Sequence, residues 1–264
     1  MKDLTEFILA LFYYAWLKLK GRPPSRVVIF YHDIKGHDVA GFRRQMAFLS
    51  RRYVVVKSSE IMTIDTAVSK PIVAITFDDA FVGVKEHAIP VLEEFRLTAG
   101  IFVPAGNLGE QCGWDVRKNF SDANSTVMNT DQILELDKKG FEIFSHSCSH
   151  PVLTGLNESV LEAELGESKN VLEGIVGHEV KAISYPYGAF DTRVCGATEK
   201  CGYKFGFSVE PSLVDRTTKP LEIGRVSVLP GDSLLKFKLK VGGAYQITKY
   251  LRRLKRSLVK GLRL

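Results

Sequence analysis

The stretch PIVAITF, residues 71–77, constrains this chain more than any other. It is a near-continuous apolar run, the pattern of a strand buried on both faces inside a parallel sheet. Runs of the same kind, none longer, recur at 26–32 (RVVIFYH), 53–56, 98–103, 141–145, 181–185 and 204–209. Between them the apolar residues switch to helical spacing: Phe42, Met46 and Leu49, then Ala88, Val91, Leu92 and Phe95. A longer helix carries Val160, Leu161, Leu165, Val171, Leu172 and Ile175, with Asn157 as its cap. Thr130 reads as the cap of a helix over 131–139 that Gly140 stops. About seven strands alternating with helices predict the α/β class with parallel strands, and 264 residues fit a single α/β barrel.

The two ends read differently from this body. Residues 233–264 hold ten Lys or Arg and no Asp or Glu, so the net charge of +6 hides a remainder of −4. The acidic body shows no basic face of the kind a nucleic-acid binder needs. In the tail, Ile247, Leu251, Leu254, Leu258 and Leu262 recur at helical spacing, with Arg252, Arg253, Lys255, Arg256 and Lys260 between them. That is a basic amphipathic helix, read either as a binder of anionic membrane surfaces or as a packed helix with a solvated face. At the other end, FILALFYYAWL (7–17) is eleven residues, against the roughly 20 needed to cross a bilayer. It reads as a helix lying on a membrane or on the domain. An export signal is the second reading, although no small-x-small cleavage site follows. The division is therefore 1–24, a main body at 25–232, and the tail at 233–264. Cys112, Cys148, Cys195 and Cys201 form no CxxC pair and read as reduced cytosolic thiols; a Cys195–Cys201 bridge in an exported protein is the alternative.

Three segments fall at the carboxyl ends of expected strands, the face where barrels of this class collect catalytic residues. TFDDA (76–80) offers adjacent carboxylates, one to ligate a metal and one to act as a base; the plain reading is a helix cap beside an acid. SHSCSH (145–150) sets His146 and His150 four apart, a spacing that can aim two imidazoles at one cation, or simply two satisfied polar histidines. Cys148, two residues from each, points elsewhere. SYPYGAFD (184–191) forces a sharp turn that can present backbone N–H groups to an anion, or a plain strand-to-helix turn. Residues 104–128 form a long polar loop whose Trp114 either stacks on a sugar or packs locally.

Together and in this order, TFDDA, HSCSH and YPYG resemble the polysaccharide deacetylase family, also called the NodB homology family or carbohydrate esterase family 4. The resemblance runs from about Val27 to Val228. It implies a distorted (β/α) barrel of about seven parallel strands. Asp79, His146 and His150 match the family's metal ligands, Asp78 its general base, and the Tyr187 N–H its oxyanion donor. Zinc is the usual metal, with cobalt, nickel or iron in some relatives. One carboxylate and two imidazoles would leave a tetrahedral position open for water and substrate.

Two departures stand out. The late Leu-x-His of many relatives is absent, since the last histidine is His178, and VLPGD (228–232) occupies about its place. Ser184 stands where many relatives open the third motif with Arg. The sequence is closest in these respects to the poly-N-acetylglucosamine deacetylases, which carry an early Tyr-His pair. Here that pair is Tyr31-His32, and His32 is the expected general acid. Arg225 is a candidate for the missing Arg beside Asp78, against an ordinary surface arginine. His37, His87 and His178 read as solvated. The expected activity is metal-dependent removal of N-acetyl groups from an amino-sugar glycan, lipid-linked in one version. A monomer is expected, cytoplasmic and peripheral at a membrane, or exported with an uncleaved anchor. The competing readings are a carbohydrate-binding member without catalysis and a membrane-associated scaffold.

Overall fold

The computed structural model describes residues 2–20, 26–64, 70–114 and 124–249. All seven expected strands form: β1 (Arg26–Tyr31), β2 (Val54–Val56), β3 (Ile72–Phe77), β4 (Gly100–Val103), β5 (Glu142–Ser145), β6 (Ala182–Ser184) and β7 (Phe205–Ser208). Two more, β8 (Ile223–Gly224) and β9 (Val226–Ser227), are pairs of residues too short to show any period. Every pairing is parallel, in the order β8-β7-β6-β5-β4-β3-β1-β9.

That order closes the barrel. β8 lies on one edge of the sheet and β9 on the other, yet only Arg225 separates them in the chain. A single residue spans at most about 3.6 Å on each side, so the two edges must meet at Arg225. The distortion sits at β3, whose outer edge is shared: Ile72–Ala74 pair with β2 and Thr76–Phe77 with β4.

All six residues of β3 are buried, and the pleat sends them to two different cores. Val73, Ile75 and Phe77 join the outer core under the helices; Ile72 and Ala74 join the barrel interior with Val28, Phe102, Phe144, Ala182 and Phe207. This is why PIVAITF shows no alternation.

The helices return the chain from one strand end to the next start. α2 (Val39–Arg52) buries Phe42, Met46 and Leu49, as expected, and also Gln45, which accepts from the Tyr31 hydroxyl at 2.7 Å. α3 (Ile89–Glu94) follows a wider turn at Val84–Ala88. α4 (Thr130–Lys138) starts one residue earlier than expected: Asn129, not Thr130, is its cap, and Asn129 and Gln132 bond each other's backbone N–H reciprocally. α5 (Glu158–Val176) is capped by Asn157 and stopped by Gly177 at φ +74°. Its buried Leu161, Leu165 and Leu172 each contribute about 1.5–3 kcal/mol of burial. α6 (Thr192–Lys200) is capped by Asp191, and α7 (Leu234–Val241) by Ser233.

The ends pack on the barrel's flank. α1 (Lys2–Leu19) buries Ala10 and Leu17 and lies against α7. Gly242 permits this contact, because a Cβ there would sit 2.6 Å from the Tyr14 ring. The single helix expected over 233–264 is interrupted: α7 ends at Val241 and a turn follows, with Gly243 at φ +77°. Leu251, Leu254, Leu258, Leu262 and the cations among them lie outside the described residues. No helix among the described residues is long and apolar enough to cross a membrane. All four cysteines are free thiols.

Candidate active site

The three motifs meet at the carboxyl ends of β3, β5 and β6. At β3, the Asp78 N–H still bonds the Tyr31 carbonyl at 2.9 Å, continuing the ladder by one step. Asp79 and Ala80 then turn left-handed, at φ +68° and +48°. The two carboxylates therefore diverge instead of repelling each other across one pocket. At β5, Ser147 (φ +63°) and His150 (φ +61°) are left-handed too, as is Tyr187 (φ +58°) after β6. Five of the six non-glycine residues with positive φ among the described residues thus sit in these motifs. Such backbone costs on the order of 1–3 kcal/mol each and persists only where the surroundings hold it.

The HSCSH segment is held from several sides. The His146 N–H bonds the Val103 carbonyl, and the Ala105 and Gly106 N–H groups bond Ser147 and Cys148 carbonyls. From α5, Glu164 accepts from the backbone N–H groups of Cys148 and Ser149 at 2.9 Å each. Its imidazoles therefore converge from a loop with two left-handed residues, not from a helical turn. Cys148 faces away, its sulfur packed on Gly106.

Asp79, His146 and His150 form the one potential metal-holding cluster among the described residues, with ligand atoms within 4.8 Å of one another. Asp79 Oδ1 stands 3.6 Å from His146 Nε2 and 3.4 Å from His150 Nε2. Ligands about 2.0–2.1 Å from one ion at tetrahedral angles stand about 3.4 Å apart, so the spacing fits. His146 Nδ1 lies 2.7 Å from the Ser184 carbonyl. That acceptor requires the proton on Nδ1, which leaves the Nε2 lone pair for a cation. Burial lowers His146 to about 4 against an opposing pull from Asp78; burial and then the neighbouring His146 lower His150 to about 2. Both rings are neutral at ordinary pH, the form in which imidazole binds a metal.

Asp78 has a different environment. Arg225 Nη1 and Nη2 donate to its two oxygens at 2.7 Å each. Burial pushes the carboxyl upward, but Arg225 outweighs it, with help from His146, and holds Asp78 at about 2. Arg225 is fully buried, which excludes the surface reading. Its remaining donors reach the Ser208 carbonyl, Thr76 Oγ1 and Ser184 Oγ, and its plane lies over the rings of Phe30 and Phe102. Ser184, the small residue where many relatives carry Arg, thus leaves room for an arginine arriving from elsewhere and also bonds it.

Around this centre, His32 Nε2 is 3.9 Å from Asp79 Oδ2, on the carboxylate oxygen away from the other imidazoles. The Tyr187 ring stands edge-on to His150 at 4.8 Å. Trp114 stacks on His150 at 4.8 Å and on Phe81 at 6.3 Å, so its packing is local while it walls the site. His37 and His178 are exposed, and His87 is half-buried beside Gly36, outside the site.

The sequence matches the polysaccharide deacetylase family over residues 65–206, more than half of the chain. The chain belongs to the polysaccharide deacetylase family. Family members are hydrolases of carbon–nitrogen bonds other than peptide bonds. The chain is 27% identical to YxkH of Bacillus subtilis over 228 residues, 83% of this chain and 76% of that one. It is 27% identical over 163 residues to the poly-beta-1,6-N-acetyl-D-glucosamine N-deacetylase of Staphylococcus aureus, 58% of this chain and 53% of that protein. It therefore spans about half the length of the staphylococcal enzyme. Among solved structures, the Streptococcus pyogenes deacetylase PplD in complex with acetate has the same fold, with a TM-score of 0.69 at 20% identity, covering 83% of this chain and 99% of that one.

The six residues expected at the site, His32, Asp78, Asp79, His146, His150 and Tyr187, lie around one centre, and Arg225 bonds Asp78. Sequence reasoning did not find Thr76, Ser184 and Ser208 as partners of Arg225, or Glu164 as the clamp on the histidine loop. None of these carries a local signal, because each is defined by a contact across the barrel.

Proposed function

We propose that this polysaccharide deacetylase hydrolyses the N-acetyl group of an amino-sugar glycan, with a divalent cation held by Asp79, His146 and His150. One observation carries the reading: two neutral imidazoles stand 3.6 and 3.4 Å from one carboxylate oxygen, while the adjacent carboxylate is pinned elsewhere by Arg225. A mixed nitrogen and oxygen donor set suits zinc, and also cobalt, nickel or iron. When bound, such a cation acidifies a water and polarises an amide carbonyl.

The chain's own residues supply the rest. Asp78 takes the proton of the attacking water. A carboxylate held at about 2 is always ionised but weakly basic, so it suits a water already acidified. The Tyr187 N–H donates to the oxyanion formed from the carbonyl oxygen. His32 gives a proton to the nitrogen as the carbon–nitrogen bond breaks, so acetate and a free amine leave. The substrate class is supported by the staphylococcal relative, whose name specifies a poly-N-acetylglucosamine.

A binding protein without catalysis is the second reading, motivated by the absent late histidine and third-motif arginine. His32 beside Asp79 and Arg225 on Asp78 put equivalent groups in reach, which favours the enzyme. The test is acetate release from N-acetylglucosamine oligomers before chelation, after it, and after adding zinc back. Release that chelation abolishes and zinc restores is expected. Full metal content with no acetate released from any oligomer would favour the binding protein.

A further inference from the structure

An α-helix lying on a protein surface normally turns a polar face to water. α1 does not. Leu4, Ile8 and Phe12 recur every fourth residue on its outer side, and Leu19 falls on the same stripe at 100° per residue. They are 63%, 43%, 73% and 87% exposed, respectively. Trp16, stacked on Tyr13, continues the stripe. Ala10 and Leu17, on the opposite side, are buried. The helix is thus apolar towards the barrel and towards solvent. Exposed apolar residues clustered in this way mark an interaction surface.

What the surface takes is shown by its neighbours. α1 packs on α7, and α7 packs on α2, where Phe237 meets Phe48 edge-on at 6.1 Å. Between α2 and α7 runs a groove of about 360 Å³ with an apolar floor that includes Phe48 and Leu234, rimmed by Arg44, Arg51, Arg52 and Lys238. These four cations have no carboxylate partner among the described residues, whereas the adjacent Arg43 is paired with Glu94. Lys18 and Lys20 end the α1 side. A second copy laid on this face would set those cations against their equals. Lys238 lies over the Phe48 ring and Lys18 over the Tyr14 ring, contacts that leave their charge uncancelled, and an apolar stripe flanked by such cations fits an anionic lipid surface instead.

We infer that α1, α2 and α7 form a docking face for an anionic bilayer: the α1 stripe enters the interface, and the α2/α7 groove takes lipid phosphates at its cationic rim. α2 returns from the carboxyl end of β1 to the start of β2, so Arg51 and Arg52 lie at the barrel end opposite the catalytic residues. A docked molecule keeps its site open to glycan in the aqueous phase. The inference is independent of the proposed chemistry.

The test is flotation of the full chain with phosphatidylcholine vesicles, with or without roughly a third of phosphatidylglycerol. Binding to the anionic vesicles is expected, at least about tenfold stronger than to neutral ones and weakened by salt. The double variant Leu4→Ser with Phe12→Ser should lose at least about tenfold on anionic vesicles. Arg51→Gln with Arg52→Gln should lose roughly 25-fold there and nothing on neutral vesicles. Unchanged thermal melting keeps each variant interpretable whether or not acetate is released. The inference is overturned if the parent stays unbound at low salt or if both variants bind as it does. It is equally overturned if a solution dimer forms that Phe12→Ser dissolves, since a second copy then covers the face.

Discussion

Arg225 grips Asp78 through two parallel N–H···O bonds of 2.7 Å, and the same residue is the only link between β8 and β9. Closing the barrel and holding the proposed base in place are therefore one structural act. A planar fork matched to a carboxylate fixes both oxygens at once, which a lysine cannot do. The aromatic rings above it replace water without removing all favourable contact with the charge.

Replacing this arginine should be severe. Arg225→Gln leaves a buried carboxylate unpaired, at a cost of about 3–5 kcal/mol by analogy with broken buried pairs. Burial then dominates Asp78, whose pKa rises, so the acid limb of the kcat/KM profile moves to higher pH. Arg225→Lys should not restore it. Thermal melts and a pH–rate profile check both; an unmoved acid limb would count against Asp78 as the base.

Base and ligand should separate cleanly. Asp78→Asn is expected to keep bound zinc and lose about 10²–10⁴-fold in rate. Asp79→Ala, His146→Ala and His150→Ala are expected to lose both metal and activity. Metal content by mass spectrometry beside acetate release distinguishes the two groups.

Stability should depend on pH through the two buried imidazoles, His146 and His150. The folded pKa of His146, about 4, lies below the ordinary 6.5, so the unfolded chain binds the extra proton more readily. Stability is then fully present above about 6.5 and falls as pH drops through 4, by on the order of 3 kcal/mol. Asp78, lowered from 3.8 to about 2, adds a second loss only below pH 4. Melting of chelator-treated protein between pH 7 and 4 should show the first slope, and His146→Ala should make it shallower, the remainder coming from His150, lowered to about 2.

Gly188 should be intolerant. It sits at φ +68°, and a Cβ there would meet Val209 Cγ2 at 2.3 Å and its backbone nitrogen at 2.9 Å. Gly188→Ala displaces the turn that carries Tyr187, with an expected cost of about 1–3 kcal/mol. The expected result is a lower melting temperature and a fall in kcat larger than in metal content. A variant with parental kcat would show that the turn's position does not matter.

Much of this was readable from the chain alone. PIVAITF reads as a doubly buried strand because its apolar residues, broken only by Thr76, show neither the helical nor the alternating period, and Asn157 announced its helix by chemistry a few residues long. The cap lies at Asn129, one position before Thr130, because two adjacent residues can both cap and the stronger, Asn, takes the place. The short β8 and β9 left no trace, since two residues define no pattern.

Local order along the chain determined the elements, the strand ends and the candidate acids and imidazoles, because capping, burial and periodicity act over a few residues. Which carboxylate faces the imidazoles and which faces Arg225 was decided only in three dimensions. Asp78 and Asp79 are neighbours with identical side chains; a left-handed turn and an arginine 147 residues away give them different surroundings. Electrostatics acts through space, and only barrel closure brought Arg225 within reach of one carboxylate while the other faced the histidines.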